Sequence, residues 1–179
     1  MSFKFYKLQN MIAIMKEDEL QSVLSSFKCS AEPSAEHFLK NVAVSHEKAG
    51  ISRTYVALEK DEAGKNNIKG FFTLAIKCLT VDEPCSIPKE IFEQMNINRE
   101  VAQAYLLGQL AKADGVEKGF GRSMVKRAFV TFARGNEMFG CKVVRLDCKD
   151  RMIDYYESLG FFFMKKNIDK TLNQMIAII

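Results

Sequence analysis

The feature that most constrains this chain lies between residues 101 and 138. VAQAYLLGQLA (101–111) is apolar on both of its alternating sets, as a strand covered on both faces in the middle of a sheet would be. A short loop, KADGVE, follows, and then KGFGRSM, in which Gly119 and Gly121 stand one residue apart. From Gly119 to about Met138, the residues Phe120, Met124, Val125, Ala128, Phe129 and Phe132 recur at three- and four-residue steps, which predicts an amphipathic helix. The start of a helix carries unsatisfied N–H groups and a partial positive charge, and glycines there let an anion approach the backbone closely. These residues alone read equally as a phosphate seat or as a tight turn between helix and sheet. The spacing is not GxxxxGK[ST], and no full GxGxxG with a distant acidic residue is present. Neither a nucleotide-hydrolysing loop nor a dinucleotide fold is indicated.

The rest of the chain supplies partners for that strand and helix. FKFYKLQ (3–9) alternates apolar and polar residues and predicts a first strand. KEDELQSVLSSF sets Leu20, Val23, Leu24 and Phe27 on one helical face. EPSAEHFLKNVAVSHEKAG predicts a further helix, with Ser34 as N-cap and Gly50 as its stop. RTYVALEK and IKGFFTLAIKCLTV flank the turn cluster DEAGKNN, as an antiparallel hairpin does. Residues 82–100, with Pro84 and Pro88, are less regular and contain a helical piece, KEIFEQM. CKVVRLDC predicts a strand, DRMIDYYESLG a short helix ending at Gly160, and FFFMKK with NQMIAII a closing antiparallel pair. The expected architecture is mixed α/β (α+β) around one sheet, a single domain over 1–179 without linker, low-complexity tract or internal repeat.

Charge and composition narrow the classes of partner. The net charge of +4 and pI near 8.7 permit an anionic ligand or RNA without demanding one. No apolar run approaches the ~18 residues that would span a bilayer, and MSFKFYKLQN lacks a signal core, so a cytoplasmic location is expected. Cys29, Cys78, Cys85, Cys141 and Cys148 form no CxxC pair, which points to reduced thiols rather than a disulfide frame. His37 and His46 lack ligand spacing, so no metal is expected.

A second motif, IDYYESLGFFF, places a tyrosine on a short helix before a turn glycine and an aromatic strand. With YLLGQLA and KGFGRSM, it makes the chain resemble the GNAT superfamily of acyl-coenzyme A-dependent N-acetyltransferases over nearly its whole length. The resemblance implies a mixed sheet of about six to seven strands, flanked by helices. Its fourth and fifth strands splay apart, and the pantetheine arm of acetyl-CoA lies between them. Backbone groups of Leu110, Ala111 and Lys112 would pair with that arm like a further strand. The pyrophosphate would rest on the N–H groups of Lys118, Gly119, Phe120, Gly121, Arg122 and Ser123. The family pattern is Arg or Gln, two residues, Gly, one residue, then Gly or Ala. Here Val116 stands in place of Arg or Gln, Glu117 takes a position often held by glycine, and the loop is a residue short. Glu117 is expected to point outward, with Lys118 offsetting its charge.

Acetyl transfer to an amine needs a neutral amine, a donor for the developing oxyanion, and a proton for the leaving thiolate. By its match to the family ending, Tyr156 is the implied acid. A phenol, with a reference pKa of about 10, is protonated at neutral pH and can donate. Tyr155 takes the place of the family's packing aromatic. Asp147, on the fifth strand, is a candidate general base, with proton loss to water as the alternative. Cys148 as a nucleophile is disfavoured, because the family reaction is direct transfer.

The acceptor this implies is a primary amine, of a small molecule or a peptide. A subgroup resemblance offers an alternative. FKCSAEPSAEHFLKNVAVSHEKAGISRTYV is similar to the front half of toxin-type acetyltransferases through Phe27, Cys29, Gly50, Ser52, Arg53, Thr54 and Val56. Those proteins acetylate the amino group of aminoacyl-tRNA and are neutralised by a small antitoxin, so the resemblance leaves tRNA, an antitoxin and a homodimer open as partners. Lys48, Arg53, Lys126, Arg127 and Arg134 are candidates for a phosphate-binding surface. A non-catalytic acyl-CoA-binding module is a further alternative, to which Val116 and Glu117 would belong; Tyr156 argues for chemistry.

Overall fold

The computed structural model describes residues 3–62, 64–81, 86–95 and 101–179. Among the described residues seven strands form one mixed sheet in the order β1-β2-β3-β4-β5-β7-β6. The strands are β1 (Lys4–Lys7), β2 (Arg53–Lys60), β3 (Asn66–Thr80), β4 (Val101–Lys112), β5 (Val143–Cys148), β6 (Phe162–Lys166) and β7 (Asn173–Ile178). The helices are α1 (Leu8–Ile14), α2 (Glu17–Ser25), α3 (Pro33–His37), α4 (Ala43–Lys48), α5 (Lys89–Met95), α6 (Phe120–Phe139) and α7 (Ile153–Glu157). Packing groups the chain into two compact units, Met1–Ala75 with Gln109–Lys126, and Ile76–Gly108 with Arg127–Ile179.

In the first unit, β1 pairs antiparallel with β2, and β2 with β3. Leu8, Leu24, Phe27, Leu39, Val56 and Phe71 are fully buried together beneath the N-terminal helices. The first strand is shorter than expected. At Leu8 the chain turns into α1, because Leu8 and Met11, three residues apart, both enter this core. The next helical stretch also departs from expectation. Pro33 takes the first helical position, leaving Glu32 rather than Ser34 at the cap, and the Ser34 hydroxyl donates to Glu32 Oε1 at 2.7 Å. Residues Phe38–Val42 then form a π-helical turn before α4. Gly50 does end α4: its φ is +71°, and Ile51 N–H reaches back to the His46 carbonyl at 2.9 Å, a Schellman closure.

In the second unit, β5 and β7 pair antiparallel along Val143–Cys148, and β6 joins β7. β4 and β5 run parallel, but among the described residues only Tyr105↔Val144 and Leu106↔Arg145 pair. The two strands therefore separate beyond two residue pairs, which is the splay expected between the fourth and fifth strands. Tyr105 stacks on Phe132 of α6 with centroids 5.0 Å apart, and its hydroxyl donates to the Gly140 carbonyl at 3.0 Å. A Cβ on Gly135 would lie 2.7 Å from that hydroxyl oxygen, so the helix comes this close to β4 only because residue 135 has no side chain.

Candidate active site

The residues expected to hold a pyrophosphate all lie in the first unit. α6 opens against the sheet at Gly70 of β3. A Cβ there would meet the Ala111 carbonyl oxygen at 2.8 Å, Met124 Sδ at 2.9 Å and Phe120 Cε1 at 3.0 Å. The missing side chain thus brings the end of β4 and the first turn of α6 together. Phe120 is buried and meets Phe3 edge-on at 4.8 Å, so only its backbone is offered outward. Gly119 has φ +91° with open space where a Cβ would be. Its absence of a side chain is required by backbone conformation, not by crowding. Lys118, Arg122 and Ser123 are exposed and Gly121 is half-buried. The first N–H groups of α6 have no intrahelical acceptor, so Phe120 and Gly121 present donors beside the Gly119 turn. Arg122 N–H bends back to the Gly119 carbonyl at 3.0 Å.

Leu110 and Lys112 lie at the end of β4, half-buried and exposed, while the Ala111 side chain is buried. Glu117 is exposed, as expected, and so is Lys118. Val116 turns its side chain inward and is buried. The residue that stands in place of Arg or Gln therefore anchors the loop by packing.

Tyr156 belongs to the second unit. It sits on α7, buried, edge-on to Tyr155 at 5.1 Å and to Phe161 at 5.7 Å. Burial first, then the neighbouring Tyr155 and Cys148, push its phenol above the ordinary tyrosine value. The group is therefore a neutral O–H donor at any physiological pH. Cys148 is buried with its Sγ 3.4 Å from Met175 Sδ, and burial, with Asp147 and Asp150 nearby, pushes its thiol up to about 11. A thiol so held is protonated and unsuited to act as a nucleophile. Asp147 is gripped by Arg145, whose Nε and Nη2 donate to its two oxygens at 3.0 and 2.9 Å. Arg145 also donates from Nη1 to the Cys78 carbonyl at 3.2 Å. Both oxygens of Asp147 are therefore occupied by the guanidinium fork. Arg145 was not visible as a functional neighbour from the sequence, although its two-residue spacing from Asp147 on one strand was a usable signal.

The toxin-like front half consists of structural positions. Phe27 and Cys29 are core residues. Glu47 is buried, and its carboxylate accepts from Arg53 Nη1 at 3.0 Å and from Thr54 N–H at 2.8 Å. Arg53 is thereby committed to an ion pair. Lys48, Lys126 and Arg134 are exposed, and Arg127 is half-buried. Among the described residues no group of three or more His, Cys, Asp or Glu is placed to hold a metal, and no helix is long and apolar enough to cross a membrane. Cys29, Cys78, Cys141 and Cys148 are free thiols; Cys85 lies outside the described residues.

No family model matches the sequence, and no curated protein matches it. Solved structures match the fold closely. AtaT complexed with acetyl-methionyl-tRNAfMet is 19% identical over 96% of this chain and 94% of that one, with a TM-score of 0.75. A tyrosine-to-phenylalanine mutant of KacT is 19% identical over 97% and 94%, with a TM-score of 0.73. AtaTR bound with AcCoA is 19% identical over 98% and 93%, with a TM-score of 0.70. At this identity the likeness establishes the fold alone, the one that these AtaT and KacT structures share.

Proposed function

We propose that the chain is an acetyl-CoA-dependent N-acetyltransferase of the toxin type, whose acceptor is the amino group of an aminoacyl-tRNA. The observation that carries this reading is similarity along almost the full chain to a protein solved with acetyl-methionyl-tRNAfMet, joined to the glycine-opened start of α6. It favours the aminoacyl-tRNA acceptor over the small-molecule or peptide amine that the motifs alone suggest. Residues 1–179 act as one catalytic domain in this reading. When bound, acetyl-CoA supplies the acetyl thioester that the amine attacks.

The chain's own contributions follow from its chemistry. The N–H groups from Lys118 to Ser123 suit a pyrophosphate, since Gly119 holds a left-handed turn and leaves the space beside it open. The backbone of Leu110 to Lys112 would take the pantetheine arm as an added strand. Tyr156, held neutral by burial, would give its proton to the departing thiolate. The exposed Lys48 and Lys126 of the first unit and Arg134 of the second are available to tRNA phosphates. An antitoxin is a fitting partner, because the AtaT neighbour was solved bound to the C-terminus of the antitoxin AtaR. Such an enzyme would act in the cytoplasm, where its acceptor is.

Induced expression tests the reading in the cell. Growth should halt with the wild-type chain and continue with Tyr156→Phe. Continued growth with well-expressed wild-type protein would contradict the toxin reading.

A further inference from the structure

The loop from β4 to α6 is fastened on two sides by side chains that the family pattern does not mark. On one side, Lys112 Nζ donates to the Val116 carbonyl at 2.6 Å and to the Glu117 carbonyl at 3.3 Å. In a trans peptide the C=O and the following N–H point in opposite directions. Turning these two carbonyls onto the ammonium therefore turns the N–H groups of Glu117 and Lys118 away from it. They precede Gly119 and the first turn of α6, whose first N–H groups also have no intrahelical acceptor. On the other side, Asp114 accepts from Ser30 N–H at 3.0 and 3.2 Å and from the Ser30 hydroxyl at 2.7 Å. Its own N–H donates to the Lys28 carbonyl at 2.9 Å. The Lys28–Ser30 segment is itself held, because Cys29 N–H donates to Glu36 Oε2 at 2.8 Å while Lys28 and Lys40 pair with the same carboxylate.

We propose that Lys112 and Asp114 are positioning residues for an anion seat formed by the N–H groups of residues 117–121. Lys112 sets the direction of the donors from within the loop, and Asp114 ties the loop to the Lys28–Ser30 segment. The inference rests on the acetyl-CoA reading and specifies how this chain meets it with a departed loop. The Val116 side chain supplies no donor, and Glu117 brings a negative charge, so a seat that needed ordering on binding would be weak. A seat ordered beforehand avoids that cost. It also gives the phenylalanine–x–cysteine stretch a role, since Cys29 and its neighbours hold the strut on which the loop leans.

The test uses the full chain with Lys112→Met, which keeps the apolar stem and removes the ammonium, and Asp114→Ala. Asp114→Asn, which still accepts from Ser30, is the conservative control. Amide hydrogen exchange without ligand reads the loop itself. The bonded loop amides of Asp114, Val116 and Arg122 should exchange at least about tenfold faster in both variants, while β2 and β7 are unchanged. Calorimetric titration with acetyl-CoA should show affinity about tenfold weaker in both, largely restored in Asp114→Asn. In turnover, KM for acetyl-CoA should rise with kcat nearly kept. The exchange measurement separates orientation of the loop from mere loss of a positive charge. Variants that bind acetyl-CoA within twofold of a binding wild type would overturn the proposal. A wild type that does not bind at all would overturn the acetyl-CoA reading and this inference with it. Should either variant fail to fold, Ser30→Ala removes one contact to Asp114 and must show the same exchange pattern in milder form.

Discussion

Arg145 grips Asp147 through two parallel hydrogen bonds of 3.0 and 2.9 Å, two residues apart on the same strand. The Arg145 side chain is only 7% exposed. Removing its partner would leave a buried charge without compensation. Asp147→Ala should cost about 3–5 kcal/mol of stability, and Asp147→Asn clearly less. If Asp147 acts only on Arg145, then Asp147→Asn keeps its turnover within a few-fold of wild type at saturating acceptor. A loss of three orders of magnitude with the fold intact would make Asp147 the general base after all.

Tyr156→Phe keeps the ring that meets Tyr155 and Phe161 and removes the donor. Thermal stability and acetyl-CoA affinity should persist while turnover falls by roughly two orders of magnitude. Tyr155→Phe should be nearly silent. The direction of the phenol shift adds a pH signature. A raised pKa keeps the acid form, so the rate should show no loss from phenol ionisation as pH rises to about 9, below the ordinary tyrosine value of about 10. Equal turnover in Tyr156→Phe and wild type would remove the residue from the chemistry.

Gly70→Ala and Gly135→Ala separate two close approaches. At position 70 the new methyl meets a backbone oxygen at 2.8 Å, which cannot swing aside. At position 135 it meets the end of the Tyr105 ring at 2.7 Å, displacing a stacked side chain and its bond to Gly140. Each should cost about 1–3 kcal/mol. Only Gly70→Ala should also weaken acetyl-CoA binding, since its clash is with β4 and the first turn of α6. Melting curves with and without acetyl-CoA check both. Equal ligand-induced shifts in the two variants would contradict the assignment.

Glu36 gives the fold a specific acid sensitivity. Its hydrogen bond with Lys40 first, then Cys29 N–H and Lys28, pull its carboxyl down to about 2. A depressed folded-state value means that its contribution is present above the unfolded carboxylate value and is lost as pH falls from there toward about 2. Glu36→Gln should therefore flatten the stability profile in that acid window and leave its shape above about pH 6 unchanged. Denaturant titrations at stepped pH read this directly, and parallel profiles for variant and wild type would refute it.

What the sequence disclosed and what it concealed divide along one physical line. β2 was legible from its β-branched and aromatic residues, α6 from apolar residues that repeat at helical spacing, and Gly50 because a left-handed helix stop is a local demand. α1 was hidden by the alternation that continues through FKFYKLQ, and the π-helical turn at Phe38–Val42 leaves no mark on the apolar spacing. The start of α6 was readable from its glycines. Its supports were not, because Asp114 meets Ser30 across 84 positions of chain, and the ammonium of Lys112 turns inward onto carbonyls that carry no residue identity. The choice of acceptor was likewise hidden, since Phe27, Cys29 and Glu47 are occupied in building the fold.

The acceptor decides the account. The most direct measurement is transfer of labelled acetyl from acetyl-CoA to a panel of charged tRNAs, set beside polyamines, free amino acids and peptide amines at equal amine concentration. Label is expected on the aminoacyl group of at least one charged tRNA. That transfer should fall steeply with added salt, because phosphate contacts release counterions, and should vanish in Tyr156→Phe. Label on a small amine or peptide, with none on any charged tRNA, would contradict the toxin-type reading and leave a general N-acetyltransferase in its place.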